Sequence, residues 1–135
     1  MSITVINKHI TKEGPADIYI GRPTIYGNPF SHLPCARYRV NTREDAVESY
    51  RTMLKAVLRG KDTYSVRLDD TNHCLKPTLT QKHLLSLFLC MGPGVRLSCW
   101  CAPLACHANV LVKAYGLWVA GHFGLEGVWK KGLLT

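Results

Sequence analysis

The stretch that decides the fold runs from Arg96 to Leu111 and reads R-L-S-C-W-C-A-P-L-A-C-H-A-N-V-L. In its first half Leu97, Cys99 and Cys101 alternate with Ser98 and Trp100, the period of a short buried strand. In its second half Val110, Leu111 and the following Ala114 recur at helical spacing, and Pro103 suits the start of a helix. A strand therefore hands the chain to a helix, with Cys106 and His107 expected in the first helical turn. Backbone N–H groups there lack partners within the helix and favour a phosphate or a thiolate. The plainer alternative is a turn packed with small buried cysteines.

Upstream, Gly21 to Phe30 reads G-R-P-T-I-Y-G-N-P-F, and its two glycines and two prolines impose a stiff path. It follows a short strand expected at Ile18 to Ile20, so Arg22 leaves a strand end with a guanidinium suited to a two-point grip on phosphate or carboxylate. Asn28, between Gly27 and Pro29, either reads a base or sugar or closes the turn on its own backbone. Ser2 to Ile6 reads as a first strand, with a polar turn from Lys12 to Pro15, and Ser31 to Val40 reads as irregular.

Asn41 is expected to cap a helix, with Glu44 completing a capping box. Ala46, Val47, Tyr50, Met53, Leu54, Val57 and Leu58 form its apolar face, and Gly60 ends it. Arg51, Lys55 and Arg59 recur every four residues along the edge of that face, placed to meet water or to track a nucleic-acid backbone. Residues 61–77 show no period and read as an inserted surface loop. Thr78 is expected to cap the next helix, with Gln81 completing T-x-x-Q, and Gly92-Pro93-Gly94 breaks it. His73 and His83 read as surface or packing residues.

Strands alternating with helices predict a single compact Rossmann-like α/β domain over residues 1–120, with a small, mainly parallel sheet flanked by helices. The tail, residues 121–135, carries Trp129 and Lys130-Lys131 and either packs on the domain or contacts a partner. Parallel sheets bind ligands outside the carboxyl ends of their strands, so Arg22, Asn28, Cys106 and His107 should converge there.

Composition narrows the function. Seventeen Lys and Arg against nine Asp and Glu give a net charge of +8, which fits a polyanionic partner, DNA above all. No apolar run reaches the roughly 18 residues needed to span a bilayer, which excludes a membrane helix as the reading. The N-terminus lacks the pattern of a signal peptide, so the expected compartment is the cytoplasm, the host's if the protein is phage-encoded. The six cysteines are then expected as reduced thiols.

These motifs resemble a family of small domains of unknown function found in phages and bacteria. Its pattern is a strand ending in G-R-P, then G-N-P-F, a helix beginning near T-R-E, and a closing C-W-C-A-P-x-x-C-H. Here the parts are Gly21-Arg22-Pro23, Gly27-Asn28-Pro29-Phe30, Thr42-Arg43-Glu44 and Cys99 through His107, within a framework from about Ile18 to Leu111. The resemblance implies a shared site, and Arg43 and Asn109 join Arg22 and Asn28 as candidate phosphate or substrate ligands. Where the family pattern places Asp two residues after the histidine, this chain has Asn109, which removes a carboxylate that would orient His107.

Cys99, Cys101, Cys106 and His107 are also four zinc-ligand types within nine residues. Their spacing departs from the usual paired C-x2–4-C arrangement, so zinc is the runner-up and no cofactor is expected. The leading expectation is metal-independent strand scission, or base or sugar processing, at damaged, uracil-derived or abasic DNA, with His107 and Cys106 as the catalytic candidates. One alternative is a non-catalytic phage modulator of a host DNA-repair or replication enzyme. The other is binding or hydrolysis of a free nucleotide or nucleotide-sugar.

Overall fold

Arg96–Cys99 is the middle strand of a three-stranded parallel sheet in the computed structural model, which describes residues 3–7, 14, 17–22, 24–34, 36, 38–92, 94–99 and 106–125. The elements in chain order are β1 (Thr4–Asn7), β2 (Ile18–Tyr19), β3 (Phe30–Ser31), β4 (Tyr38–Arg39), α1 (Arg43–Leu58), β5 (Tyr64–Leu68), β6 (Thr71–Leu75), α2 (Gln81–Cys90), β7 (Arg96–Cys99) and α3 (His107–Val119). β7 lies between β1 and β2, with Thr4 opposite Arg96 and Ile18 opposite Leu97. A strand paired at both edges and covered on both faces buries both sets of alternating side chains. Leu97 and Ser98 are accordingly both 0% exposed, so the alternation expected from sequence does not survive.

The domain is a mixed α/β fold, as expected, and it also carries a parallel pair, β3 with β4, and an antiparallel hairpin, β5 with β6. The parallel pair lies where irregular chain was expected. The hairpin replaces the loop expected over residues 61–77. Its alternation was legible: Tyr64, Val66 and Leu68 point inward while Ser65 and Arg67 are exposed. The turn, Asp69-Asp70, places both residues in the left-handed region, at φ 49° and 63°, which suits a two-residue hairpin and which aspartate tolerates.

Helix starts were displaced by one or two residues. Thr42, not Asn41, caps α1, its Oγ1 accepting from the Asp45 N–H at 3.0 Å. Thr80, not Thr78, caps α2, and His83 completes the capping box by accepting from the Thr80 N–H. The expected face of α1 does enter the core: Ala46, Tyr50, Met53, Leu54 and Val57 are buried, while Val47 and Leu58 are half-buried. Trp118 of α3 packs on Phe88 and Tyr115, and Leu125 after α3 is buried. Residues 126–135, including Trp129, lie outside the described residues, as do Trp100, Cys101, Pro103 and Arg37. No helix among the described residues is long and apolar enough to cross a membrane.

One ion pair ties β7 to the chain entering β2. Arg96 donates to both carboxylate oxygens of Asp17, at 2.9 and 2.6 Å, and the Gly14 N–H donates to the same carboxylate at 2.7 Å. These bonds, led by that from Arg96, hold the Asp17 carboxyl below its ordinary range. A carboxyl lowered in the native state adds stability above its unfolded pKa, near 3.8, and that stability is lost as pH falls through the native value. Asp17→Asn should therefore lower the melting temperature at pH 7, and the gap to the wild type should close as the pH drops below about 4. Thermal melts across pH 3–7 check this; a gap that holds constant to pH 3 contradicts it.

Candidate functional site

At the carboxyl ends of β2 and β7 the chain encloses a cavity of about 250 Å³. Arg22, Asn28, Arg43, Cys106 and His107 line it, joined by Cys99, Phe30, Ser31 and His32. Its place follows from topology: two parallel strands end there and two helices, α1 and α3, begin there, so their positive ends face the same space. α3 starts at His107, and Cys106 is its N-cap rather than a first-turn residue as expected. The Ala108 N–H donates to Cys106 Sγ at 3.4 Å, taking the role usually filled by a hydroxyl or carboxylate.

His107 is buried, and its Nε2 lies 2.8 Å from the Ile20 carbonyl. A carbonyl only accepts, so Nε2 carries the hydrogen; in the neutral ring Nδ1 is then the acceptor. Nδ1 lies 3.5 Å from Cys106 Sγ, and that sulfur lies 3.3 Å from Cys99 Sγ. The Tyr50 ring stands edge-on to the imidazole at 5.0 Å between centroids, and its hydroxyl donates to the Tyr26 carbonyl. The result is a thiol–imidazole pair whose imidazole is fixed by backbone rather than by a carboxylate. Asn109, expected as a ligand and as the place of an orienting carboxylate, is exposed on α3 and is not among the residues lining the cavity, so a carboxylate there would not reach it either.

The loop expected to carry Arg22 is tightly locked. The Tyr19 hydroxyl donates to the Arg22 carbonyl at 2.6 Å, and Thr24 bonds the Gly21 carbonyl through both its N–H and its hydroxyl. A Cβ on Gly27 would stand 2.8 Å from the Arg22 nitrogen and 2.9 Å from its Cα, so only glycine lets the loop close. Asn28 is committed to the scaffold. Its Oδ1 accepts from the Phe30 N–H at 2.9 Å, and its Nδ2 donates to the Ala46 carbonyl at 3.1 Å, tying the loop to α1. Each bond contributes about 1 kcal/mol; the one from Phe30 is the turn closure expected of this residue, and the one to Ala46 is a cross-brace that the turn alone does not call for.

The expected cationic stripe runs away from the cavity along α1. Arg51 pairs with Glu48, and Arg51 and Lys55 edge a groove of about 140 Å³ shared with Lys113 of α3 and floored by Leu54, Leu58, Val110 and Leu117. Arg59 is the exposed C-cap of α1. Of the four zinc-type residues, Cys99, Cys106 and His107 meet at the cavity and Cys101 lies outside the described residues. Among the described residues no group of three or more side chains is arranged to hold a metal ion. Sequence reasoning missed Ser31, His32 and Tyr50 at the site. The first two follow G-N-P-F directly and were hidden by reading that segment as irregular; Tyr50 read as an ordinary core residue.

The fold and cavity define an α/β domain with a pocket, bordered by two arginines, at the ends of its parallel strands. The chain belongs to the family described as a domain of unknown function, DUF4326, whose model matches residues 5–116. No curated protein and no solved structure matches the chain.

Burial pushes the His107 imidazole below its ordinary range; the Ile20 carbonyl and nearby Cys99 pull it upward, and the Arg22 charge lowers it further. The unfolded chain takes up a proton near pH 6.5 that the native site excludes, so this group removes stability as pH falls below that value. Relative to His107→Gln, which keeps a donor for Ile20, the wild type should lose up to about 1.4 kcal/mol per pH unit between pH 6.5 and 5. Denaturant melts of the two proteins measure the difference, and parallel pH profiles would refute the buried neutral imidazole.

Proposed function

We propose that the protein acts on DNA, cleaving the strand at an abasic sugar without a metal, with Cys106 and His107 as the reacting pair. The observation that carries this reading is the thiol–imidazole pair at the wall of a small cavity that Arg22 and Arg43 also line. At about 250 Å³ the cavity lies below the roughly 300–1,000 Å³ typical of small-molecule sites, which suits a sugar and phosphate lacking their base. The net charge of +8 supports a polymer over a free nucleotide.

The chemistry is a β-elimination. Cys106 passes its proton to His107 Nδ1, and the positive end of α3 favours the resulting negative charge on sulfur. The sulfur takes the C2′ proton of the open-chain sugar, made acidic by the C1′ aldehyde. The electrons of that bond form a C2′–C3′ double bond, and the C3′–oxygen bond breaks. The departing phosphate leaves toward Arg22 and Arg43 with the proton the sulfur has just taken, and His107 Nδ1 returns its own proton to the sulfur, which restores thiol and neutral imidazole. His107 thus acts through Cys106 rather than on the sugar, because both its ring nitrogens face protein atoms.

A second reading, a non-catalytic modulator that docks on a DNA-repair or replication enzyme, draws on the α1–α3 groove. Its apolar floor and edge of Arg51, Lys55 and Lys113 suit an acidic amphipathic segment.

Nicking assays on intact, uracil-containing and abasic duplexes separate the two. Wild-type protein should cut only abasic DNA, and Cys106→Ser should slow cutting by about 100-fold or more while leaving abasic-DNA affinity within a few-fold. Tight binding with no cutting of any substrate would favour the modulator. Binding should also weaken steeply with salt, and replacing Arg51, Lys55 and Arg59 together by alanine should lower the log–log salt slope by about 2, since Glu48 already offsets Arg51. An unchanged slope in fluorescence-anisotropy titrations would remove α1 from the DNA path.

A further inference from the structure

Arg22 lines two cavities. Besides the small one at Cys106 and His107, it borders a second of about 590 Å³ lined also by Thr24, Tyr38, Lys76 and Thr78. We infer that this second cavity is a subsite for the nucleotide next to the one being processed, with Arg22 on the phosphate that joins the two units. The inference rests on the nucleic-acid reading above and extends it by naming a ligand of at least two linked units, single-stranded at this point.

Three observations carry it. The first cavity, at about 250 Å³, is too small for a complete nucleotide with its neighbour, whereas the second falls within the roughly 300–1,000 Å³ range of whole ligands. The lining of the second has the composition that single-stranded nucleic acid uses: cations for phosphate in Arg22 and Lys76, an aromatic ring in Tyr38 for a base, and hydroxyls in Thr24 and Thr78. The residue between the cavities is held in place, since Gly27 packs against the Arg22 backbone and Cγ and the Tyr19 hydroxyl holds the Arg22 carbonyl. A guanidinium on a rigid loop between two pockets is suited to a bridging phosphate, which it grips at two oxygens.

The same contacts with phosphate would serve a nucleotide-sugar, whose two units are joined by a pyrophosphate. The oligonucleotide is favoured by the net charge of +8, which a small soluble ligand does not call for.

Binding of 2-deoxyribose 5-phosphate, of that abasic unit joined to one and to two thymidine nucleotides, and of UDP-glucose to the full chain tests the assignment by calorimetry. Affinity should rise about 10-fold or more from the abasic unit alone to the two-unit ligand, and by much less from two units to three. Lys76→Ala, an exposed residue on the second cavity, should abolish the gain from the second unit and leave the affinity for deoxyribose phosphate within about two-fold. Equal affinity for one and two units, or a gain that survives Lys76→Ala, overturns the subsite while the sugar-phosphate site stands. A gain with UDP-glucose and none with the two-unit ligand also overturns it, because the second unit is then a sugar. Failure of every probe, the deoxyribose phosphate included, overturns the subsite and the nucleic-acid reading together.

Discussion

The hydrogen bond from His107 Nε2 to the Ile20 carbonyl spans 87 positions of sequence, and the site depends on it. Ile20 is held from the other side as well, its N–H donating to the Ser98 carbonyl at 3.0 Å. One residue just past the end of β2 thus joins the middle strand, through its N–H, to the first residue of α3, through its carbonyl. The bond fixes the ring's tautomer, leaves Nδ1 as acceptor toward Cys106, and compensates a buried imidazole for its lost water. It also replaces a carboxylate partner: a backbone carbonyl orients the ring without adding a charge to the cavity. The space therefore stays electropositive, with Arg22, Arg43 and two helix N-termini around it.

The rest of the site is built from rigid loop rather than from additional sheet. The segment from Gly21 to Phe30 uses backbone carbonyls as anchor points for Tyr19, Thr24 and Tyr50, and uses Asn28 as a cross-brace to α1. Such a loop fixes the backbone from which Arg22 projects, so its ordering cost on binding falls on the side chain alone.

Much of this was legible in the sequence. The strand-to-helix passage at Arg96–Leu111 and the G-R-P and G-N-P-F turns placed the site at one sheet edge, because parallel strands put their following loops on one side. What was not legible depended on long-range partners. Ser98 reads as exposed by alternation until its strand is paired at both edges, by β1 and β2, and buried on both faces. The hairpin within residues 61–77 is a different case, since its partners are local and the alternation of Tyr64, Val66 and Leu68 is visible, but the polar second strand and the Asp69-Asp70 turn disguise it as a loop. Thr42 and Thr80 displace the expected caps because a cap is decided by which hydroxyl reaches an N–H, a matter of one residue that pattern alone does not resolve. Asn109 was carried by its nearness in sequence to His107, and on a helix two positions turn a side chain to the other face.

The position of β7 in the chain has a consequence for how the molecule comes into being. β7 is the middle strand of its sheet and the last of the seven strands among the described residues to be synthesised, and the ion pair that pins it to Asp17 closes a separation of 79 positions. β1 and β2 emerge from the ribosome with their shared neighbour not yet made, whereas α1 and the β5–β6 hairpin rest on local contacts and can form at once. Closing the sheet comes late and is slow, because loop entropy is paid before any strand pairing rewards it. The cavity between β2, β7 and α3 is thus completed late. A chain stopped before residue 107 holds Arg22 and Arg43 but lacks the imidazole that ties the end of β2 to α3, so this wall of the cavity closes only with the finished sheet.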